Sequence, residues 1–471
     1  MLLRRFAITL LATALALGAV APGARAATPF TVYLPNVVKT LGGQDGWHTP
    51  FIVQNVGSTA TSLTVSFYKF IDGSLVATRR ADVLPGRSFV DSPRDDTDLP
   101  DNAQFSVVIT SSAAPVVAIV NEHQGFDAGT EALSYSGIAQ GSTQVYLPLV
   151  YKQFDDWLTT LIIQNVGTAT ADVTATFVSL DGKSRATLSR TVDPGRSKFI
   201  DPRIETALAG STIYAVTMGS TEPIAVVANG HHDLPGVSPA MGDSYNAVPM
   251  TAATTSYLPY VPVHTDGKGA VSRVFVQNAG TALAAPIFTF TRFTGTSVNG
   301  DPAPFPGPML APGAGFLLTP PVPDGDFALT ITGGAFAAVT TVFPTSGAMF
   351  YTGTSAAASK IFLPNVTRVL AFAPGDPGWN TPIYIQSATA TSATLTWYRF
   401  SDGSVVTTQT VALTAGTTTR VDPKTVSGLT DNSQYAVVIE SSGTLVAIVT
   451  EINPIAVAGD DAMIYKGFPP P

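Results

Sequence analysis

The chain has 471 residues, 45% of them hydrophobic and only 12% charged, with a formal net charge of −8 and no cysteine. Disorder requires the opposite balance of apolar content and charge, and nucleic acids or anionic membranes require clustered Lys and Arg, so all three readings are disfavoured. The missing thiols remove disulfides, Cys nucleophiles, thiolate zinc sites and iron–sulfur clusters.

In chain order, the first element is an address. Arg4 and Arg5 precede an apolar run over residues 6–20, too short to span a bilayer comfortably, and Ala24-Arg25-Ala26 supplies a small-x-small cleavage pattern. Residues 1–26 are thus predicted to be a signal peptide cleaved after Ala26, which sends the protein out of the cell or to its surface. No later apolar stretch approaches the roughly 20 residues a membrane helix needs.

A sentence written four times follows. Tyr33-Leu34-Pro35, Tyr146-Leu147-Pro148, Tyr257-Leu258-Pro259 and Phe362-Leu363-Pro364 each open a segment. Each segment ends on a tyrosine strand, at Tyr135, Tyr245, Tyr351 and Tyr465. Such a period implies modular architecture, with boundaries at 27–140, 141–251, 252–357 and 358–471.

Within the first segment Leu63, Val65 and Phe67 alternate with polar residues, the period of a strand with one buried face. Asp72-Gly73 marks a hairpin leading into a short strand over 74–78, and Leu84-Pro85-Gly86 marks the next turn. Strands are predicted at 89–91, around Phe105, Val107 and Ile109, at 115–120 and at 133–136. Seven or eight short strands with regular turn signals, and no helical spacing, predict an all-β chain of four tandem Ig-like antiparallel β-sandwich domains. The third copy has drifted most, with a Pro-rich stretch over 301–312 in place of the hairpin.

One stretch carries a resemblance. Phe51-Ile52-Val53-Gln54-Asn55-Val56-Gly57, repeated around Gln164-Asn165-Val166-Gly167 and Gln277-Asn278-Ala279-Gly280, resembles CARDB-type and related Ig-like repeats of bacterial surface and secreted proteins. The fourth copy departs, with Gln386-Ser387-Ala388. The resemblance implies adhesion or scaffolding and carries no catalytic residues. The Asn itself reads as a turn former bonding its own backbone.

The distance from each closing tyrosine to the next opening aromatic is eleven or twelve residues in every case. A fixed length suits a packed joint rather than a flexible linker, which predicts a semi-rigid rod and, more weakly, head-to-tail self-association into fibres.

The candidate sites are few. Trp47, Trp157 and Trp379 recur before the Gln strand in three copies. They read either as ring-stacking contacts for a glycan or as plugs for one end of each sandwich core. Asp95, Asp96, Asp98 and Asp101 crowd one loop and are weak calcium ligands, since no Asp-x-Asp-x-Asp-Gly loop is present. Asp460-Asp461 is a smaller acidic pair. His231-His232-Asp233 is the single histidine cluster, but neighbours on a strand point to opposite faces and do not share a metal there.

Glu122, Glu131 and Glu451 are the carboxylates that tempt a catalytic reading, with Asn229 at the matching place in the second copy and Phe343 near it in the third. Catalysis is not expected, because glycoside hydrolysis needs two carboxylates across one cleft and no nucleophile or phosphate motif appears. The expectation is a secreted or cell-surface structural or adhesive protein that binds itself, other surface proteins or polysaccharide. The alternative is a carbohydrate-binding array built on the tryptophans.

Overall fold

The structure, a computed structural model, describes residues 29–124, 131–232, 240–250, 253–264, 269–294, 301–344, 347–371, 376–453 and 462–470. The expected signal peptide, Asp233 and the Asp460-Asp461 pair lie outside them. The described chain is all-β and its strands pair antiparallel, with two single-turn 3₁₀ helices at Pro93–Asp95 and Pro423–Thr425. No helix among the described residues is long and apolar enough to cross a membrane.

The first segment has nine strands: β1 (Phe30–Lys39), β2 (Trp47–His48), β3 (Phe51–Asn55), β4 (Thr61–Lys69), β5 (Leu75–Val83), β6 (Ser88–Asp91), β7 (Ala103–Ser111), β8 (Val116–Gln124) and β9 (Ala132–Ser136). One sheet has the order β1-β7-β4-β5, and the other β2-β8-β3-β6 with β9 added to β8. The two sheets face each other. Leu63, Val65 and Phe67 from β4, with Val107 and Ile109 from β7, pack against Phe51, Val53, Ala118 and Val120.

The alternation that predicts β4 therefore places its apolar set inward, as a period of two requires. Strand β5 runs further than the predicted 74–78, because Arg79, Arg80 and Asp82 sit on an edge strand where such side chains reach solvent. Corresponding strands recur in the segments that open at Tyr146, Tyr257 and Phe362. In the second and fourth, one long strand (Thr212–His232, Ser433–Ile452) runs through both sheets and joins them.

The repeated Asn acts as predicted. Asn55 Nδ2 donates to the Thr59 and Val83 carbonyls at 2.8 and 2.9 Å while its Oδ1 accepts from Gly57 N at 2.9 Å. Asn165 and Asn278 make the same three bonds, and Ser387 holds the turn in the fourth segment with its hydroxyl. Gly57 is needed there, since a Cβ would come within 2.7 Å of Ala114.

The opening motif has a specific job. In all four segments the register of the first strand shifts just past the Leu-Pro pair, between Leu34 and Val37, Leu147 and Val150, Leu258 and Val261, and Leu363 and Val366. Proline suits this bulge because it has no N–H to leave unpaired. Its carbonyl is left for a neighbour. Ser197 Oγ of the second segment donates to Pro35 O of the first at 3.1 Å, and Thr418 Oγ1 of the fourth donates to Pro259 O of the third at 2.7 Å.

Ser88 Oγ of the first segment then donates to Pro364 O of the fourth at 3.2 Å. The last segment therefore docks on the first. The third has Gly315 at this position, where a Cβ would meet Ala215 and Leu180 of the second segment at 2.7 Å.

The semi-rigid rod inferred from the fixed joints is therefore not the arrangement observed. The four closing strands (Ala132–Ser136, Met241–Asn246, Met349–Thr352 and Ala462–Lys466) lie each against the next, and the fourth lies against the first. Each joint uses the same two surfaces, one from each partner. Such a heterologous contact makes a fibre when it stays open and a ring when the rotation closes. Here it closes after four segments, and the surface that a second copy would need for head-to-tail growth is occupied by the chain's own fourth segment.

Small-angle scattering checks this. A radius of gyration close to the ~23 Å of a compact chain of this length is expected. The much larger value of four sandwiches in line contradicts the ring.

Candidate functional site

The buried polar groups of the protein gather where the segments meet. Tyr135 belongs to β9 and points into its own sandwich, its hydroxyl donating to Asn36 O at 2.6 Å. Tyr465 is placed alike against the Asn365 carbonyl, Tyr245 against that of Leu149, and Tyr351 against that of Tyr260. The tyrosine that closes each segment is thus latched to the bulge that opens it.

Neighbouring residues of the closing strands face the adjacent segments. Ser134 N donates to Asp243 Oδ1 at 2.8 Å and Ser136 N to Asn246 Oδ1 at 3.0 Å, so the first and second closing strands run side by side in the same direction. Asp243 Oδ2 accepts from Phe350 N of the third segment at 2.7 Å. One carboxyl, fully buried, therefore satisfies backbone donors of three segments, its own Ser244 N included. Burial pushes this carboxyl well above the ordinary range, against the three N–H groups that favour its charged form.

Two carboxylates clamp the joints of the first segment. Glu122 accepts from Asn36 Nδ2 at 3.0 Å and from Asn229 Nδ2 of the second segment at 3.0 Å. Glu451 accepts from Asn365 Nδ2 at 3.0 Å and from Asn121 Nδ2 of the first segment at 3.1 Å. Burial raises both to about 7, while the amide donors pull the other way. Glu122 and Glu451 hold different joints and share no cleft.

The strand register corrects the expected equivalence. Phe51 pairs with Val120, Leu161 with Ala228, Val274 with Thr340 and Ile383 with Val449. The residues matching Glu122 are therefore Gly230 and Val342, not Asn229 and Phe343; Asn229 matches Asn121. Gly230 leaves room for the Phe350 ring of the third segment, which would lie 2.6 Å from a Cβ. At this position two joints thus carry a carboxylate clamp and two carry Gly230 and Val342 instead.

The tryptophans stand at the same joints. Trp47 meets His231 of the second segment edge-on with ring centroids 5.6 Å apart, and Trp379 meets His123 of the first at 6.4 Å. Trp157 is 7% exposed, stacked by His232 at 5.0 Å and packed against Phe343 and Phe350 of the third segment. Both faces of Trp157 are thus taken by protein, whereas Trp47 and Trp379 are half-buried.

Glu131 accepts from His231 Nδ1 at 2.7 Å and His232 N at 2.9 Å, so the histidine pair serves a carboxylate across a joint. His48 and His123 stack at 5.5 Å, and burial lowers them to about 4 and about 3.

The second segment turns at this end in only two residues, Asp155 and Asp156, both at positive φ. Beside that turn a cleft of about 290 Å³ opens between the second and third segments, lined by Tyr151, Phe154, Asp155, Trp157, His232, Met241, Arg273 and Phe343.

The acidic loop is occupied by protein cations. Lys39 pairs with Asp101 at 3.1 Å and caps the Leu99 carbonyl, and Arg79 pairs with Asp91 and Asp96. Asp95 accepts from Ser92, and the Asp98 N–H donates to Asp96. Lys152 and Arg368 cap the matching loops of the second and fourth segments. Among the described residues no group of three His, Asp or Glu is placed to hold a metal.

No known family model matches the chain, and no curated protein matches it. Among solved structures, the Thermotoga maritima protein solved as Thermotoga maritima 1070 is similar over 23% of this chain and 95% of its own, at 16% identity and a TM-score of 0.21.

The joints generate two predictions. A carboxyl with a raised folded-state pKa binds its proton more tightly when folded. Its stabilisation is complete below the unfolded value of 4.5 and lost as pH passes about 7. Relative to the double variant Glu122→Gln/Glu451→Gln, which keeps His48, His123 and Asp243, the wild type is therefore expected to lose stability between about pH 4.5 and pH 7, by up to about 3 kcal/mol for each Glu, as read from denaturant unfolding. A difference between the two proteins that stays constant over this range contradicts the assignment. Separately, Gly230→Val drives a side chain into Phe350 and is expected to cost about 1–3 kcal/mol in the same measurement, while Gly182→Ala, in open space, is expected to cost less despite its positive φ.

Proposed function

We propose that the chain is an exported, non-catalytic protein of four Ig-like domains whose closed ring is a rigid platform for adhesive or structural contacts on a bacterial surface or in its matrix. The observation that carries this reading is the packing of the four closing strands around one axis, the first and second running in the same direction. With it, the Trp47, Trp157 and Trp379 turns each stand where one segment meets the next. Loops held by a stiff scaffold are where binding surfaces concentrate.

The Ig-like assignment draws support from two tyrosine corners. The Tyr214 hydroxyl accepts from Ala209 N at 2.7 Å and that of Tyr435 from Thr430 N at 2.9 Å, each five residues upstream. Export draws support from the predicted signal over residues 1–26. Polysaccharide, the alternative partner, has support at Trp47 and Trp379, whose rings are half-buried; Trp157 offers no free face.

The test is retention of the purified protein on bacterial cell envelopes and on insoluble polysaccharide. Replacing the loop over 41–46 by a short Gly-Ser turn is expected to weaken binding at least tenfold, and altering the opposite-end turn at Ser58 and Thr59 to leave it unchanged. Equal effects at both ends, or no retention by the wild type, overturn the platform reading. Loss with Trp47→Ala/Trp379→Ala on polysaccharide alone selects the glycan partner.

A further inference from the structure

The connection ahead of the tryptophan differs in length between segments. The first uses residues 40–46 between β1 and β2, whereas the second turns at Asp155 and Asp156 alone. The short turn leaves the joint with the third segment open, and the cleft of about 290 Å³ stands there. Its volume lies near the lower end of the ~300–1,000 Å³ of ligand sites, which suits a small molecule.

Polar groups line this cleft without partners. Tyr151 is 2% exposed, yet its hydroxyl makes no hydrogen bond to any described residue. His232 lines the same space, and its Nδ1 is buried with no hydrogen-bond partner among the described residues. Buried donors and acceptors are ordinarily satisfied, so two in one cleft call for a partner that the chain does not supply.

Two opposite charges stand at the mouth. Asp155 of the second segment and Arg273 of the third are both exposed and line the cleft across the joint. Neither forms an ion pair with the other or with any described residue. Burial raises the Tyr151 hydroxyl, Arg273 pulls it down and Asp155 pushes it up, so both charges lie close to that hydroxyl.

The rest of the wall is apolar. A register shift between Lys152 and Phe154, with Gln153 at positive φ, carries Phe154 onto the cleft. Phe154, Met241 and Phe343 are only partly buried, so part of each is left to face a ligand.

We propose that this cleft binds one small zwitterion with an apolar body, the chemistry of an aromatic α-amino acid. Its ammonium meets Asp155, its carboxylate meets Arg273, and its side chain lies against Phe154 and Phe343. Charge complementarity selects the zwitterion. A purely acidic ligand meets the Asp155 carboxylate and a purely cationic one meets the Arg273 guanidinium, whereas a zwitterion answers both. Guanidinium and carboxylate also match in shape, through paired N–H donors. A sugar is disfavoured, because both faces of Trp157 are already taken by protein. The cleft contains none of the residues altered in the retention test, so platform and cleft stand or fall separately.

Isothermal titration calorimetry of the full purified protein with L-phenylalanine, its amide and phenylpropionate is the test. The amino acid is expected to bind one site per chain with a Kd of about 0.1–1 mM, in keeping with about a dozen heavy atoms. The amide lacks the carboxylate and phenylpropionate lacks the ammonium, and each is expected to bind roughly tenfold more weakly. Arg273→Gln is expected to weaken L-phenylalanine roughly tenfold and leave the amide unchanged. Asp155→Asn is expected to weaken it alike and leave phenylpropionate unchanged. Both residues are exposed, and asparagine tolerates the positive φ at 155, so both variants are expected to keep the wild-type melting temperature. No binding of the amino acid up to about 10 mM, equal affinity for all three probes, or affinity unchanged by both variants overturns the proposal. Saturable binding of glucose in place of the amino acid overturns it too.

Discussion

The arrangement depends on the carbonyl of the opening proline. A bulge in the first strand of each segment turns that oxygen outward, and in three of the four joints a serine or threonine of the next segment donates to it. A single such bond contributes only about 1 kcal/mol. Its importance is geometric. It fixes the angle between neighbours, and one angle repeated four times decides between a fibre and a ring. In the remaining joint Gly315 brings the backbone against Ala215 and Leu180, so contact replaces the hydroxyl without opening the circle.

Ring closure then explains where the polar residues are. Four closing strands brought around one axis are edge strands, and edges carry unpaired N–H groups that must be satisfied once water is excluded. Asp243 and Asn246 do this for β9, and Asp243 does it for Phe350 as well. A fully buried acid is ordinarily a liability. Here three backbone donors converge on it, so removing the carboxyl would leave those donors unsatisfied. The same logic covers Glu122 and Glu451, whose amide partners come from both sides of a joint.

Much of this was legible in the chain. Period-two alternation located β4 and β7, the Asp-Gly and Pro-Gly pairs located turns, and Asn55 with its repeats was recognisable as a backbone-bonding turn residue, because all these signals act over a few residues. The constant spacing between closing tyrosine and opening aromatic correctly indicated packed joints. It did not indicate the sign and size of the rotation at each joint, which is why a rod was the natural expectation. Asp243 carried no signal, since one acid in a short strand reads as a solvent-facing residue until three other strands surround it. The match of Asn229 to Glu122 failed for a register reason: the two segments align one residue differently, and only the pairing of Leu161 with Ala228 reveals it.

The four joints are equivalent in design and unequal in chemistry, and the inequality has a direction. The first segment is held on both sides by carboxylate–amide clamps, Glu122 toward the second and Glu451 from the fourth. The other two joints are closed by Phe350 beside Gly230 and by Ile464 in the core of the third segment. Apolar side chains are indifferent to pH, although Phe350 N also donates to the buried carboxyl of Asp243. A buried Glu held by neutral amides is not, because its ionised form loses hydration that no cation replaces. Deprotonation therefore loads strain onto the two contacts that hold the first segment, one of which closes the ring. The joint between the fourth and first segments also joins the two segments of the circle most distant in sequence, and it forms only after both have folded. One of the contacts loaded at alkaline pH is thus the place where the circle is completed last.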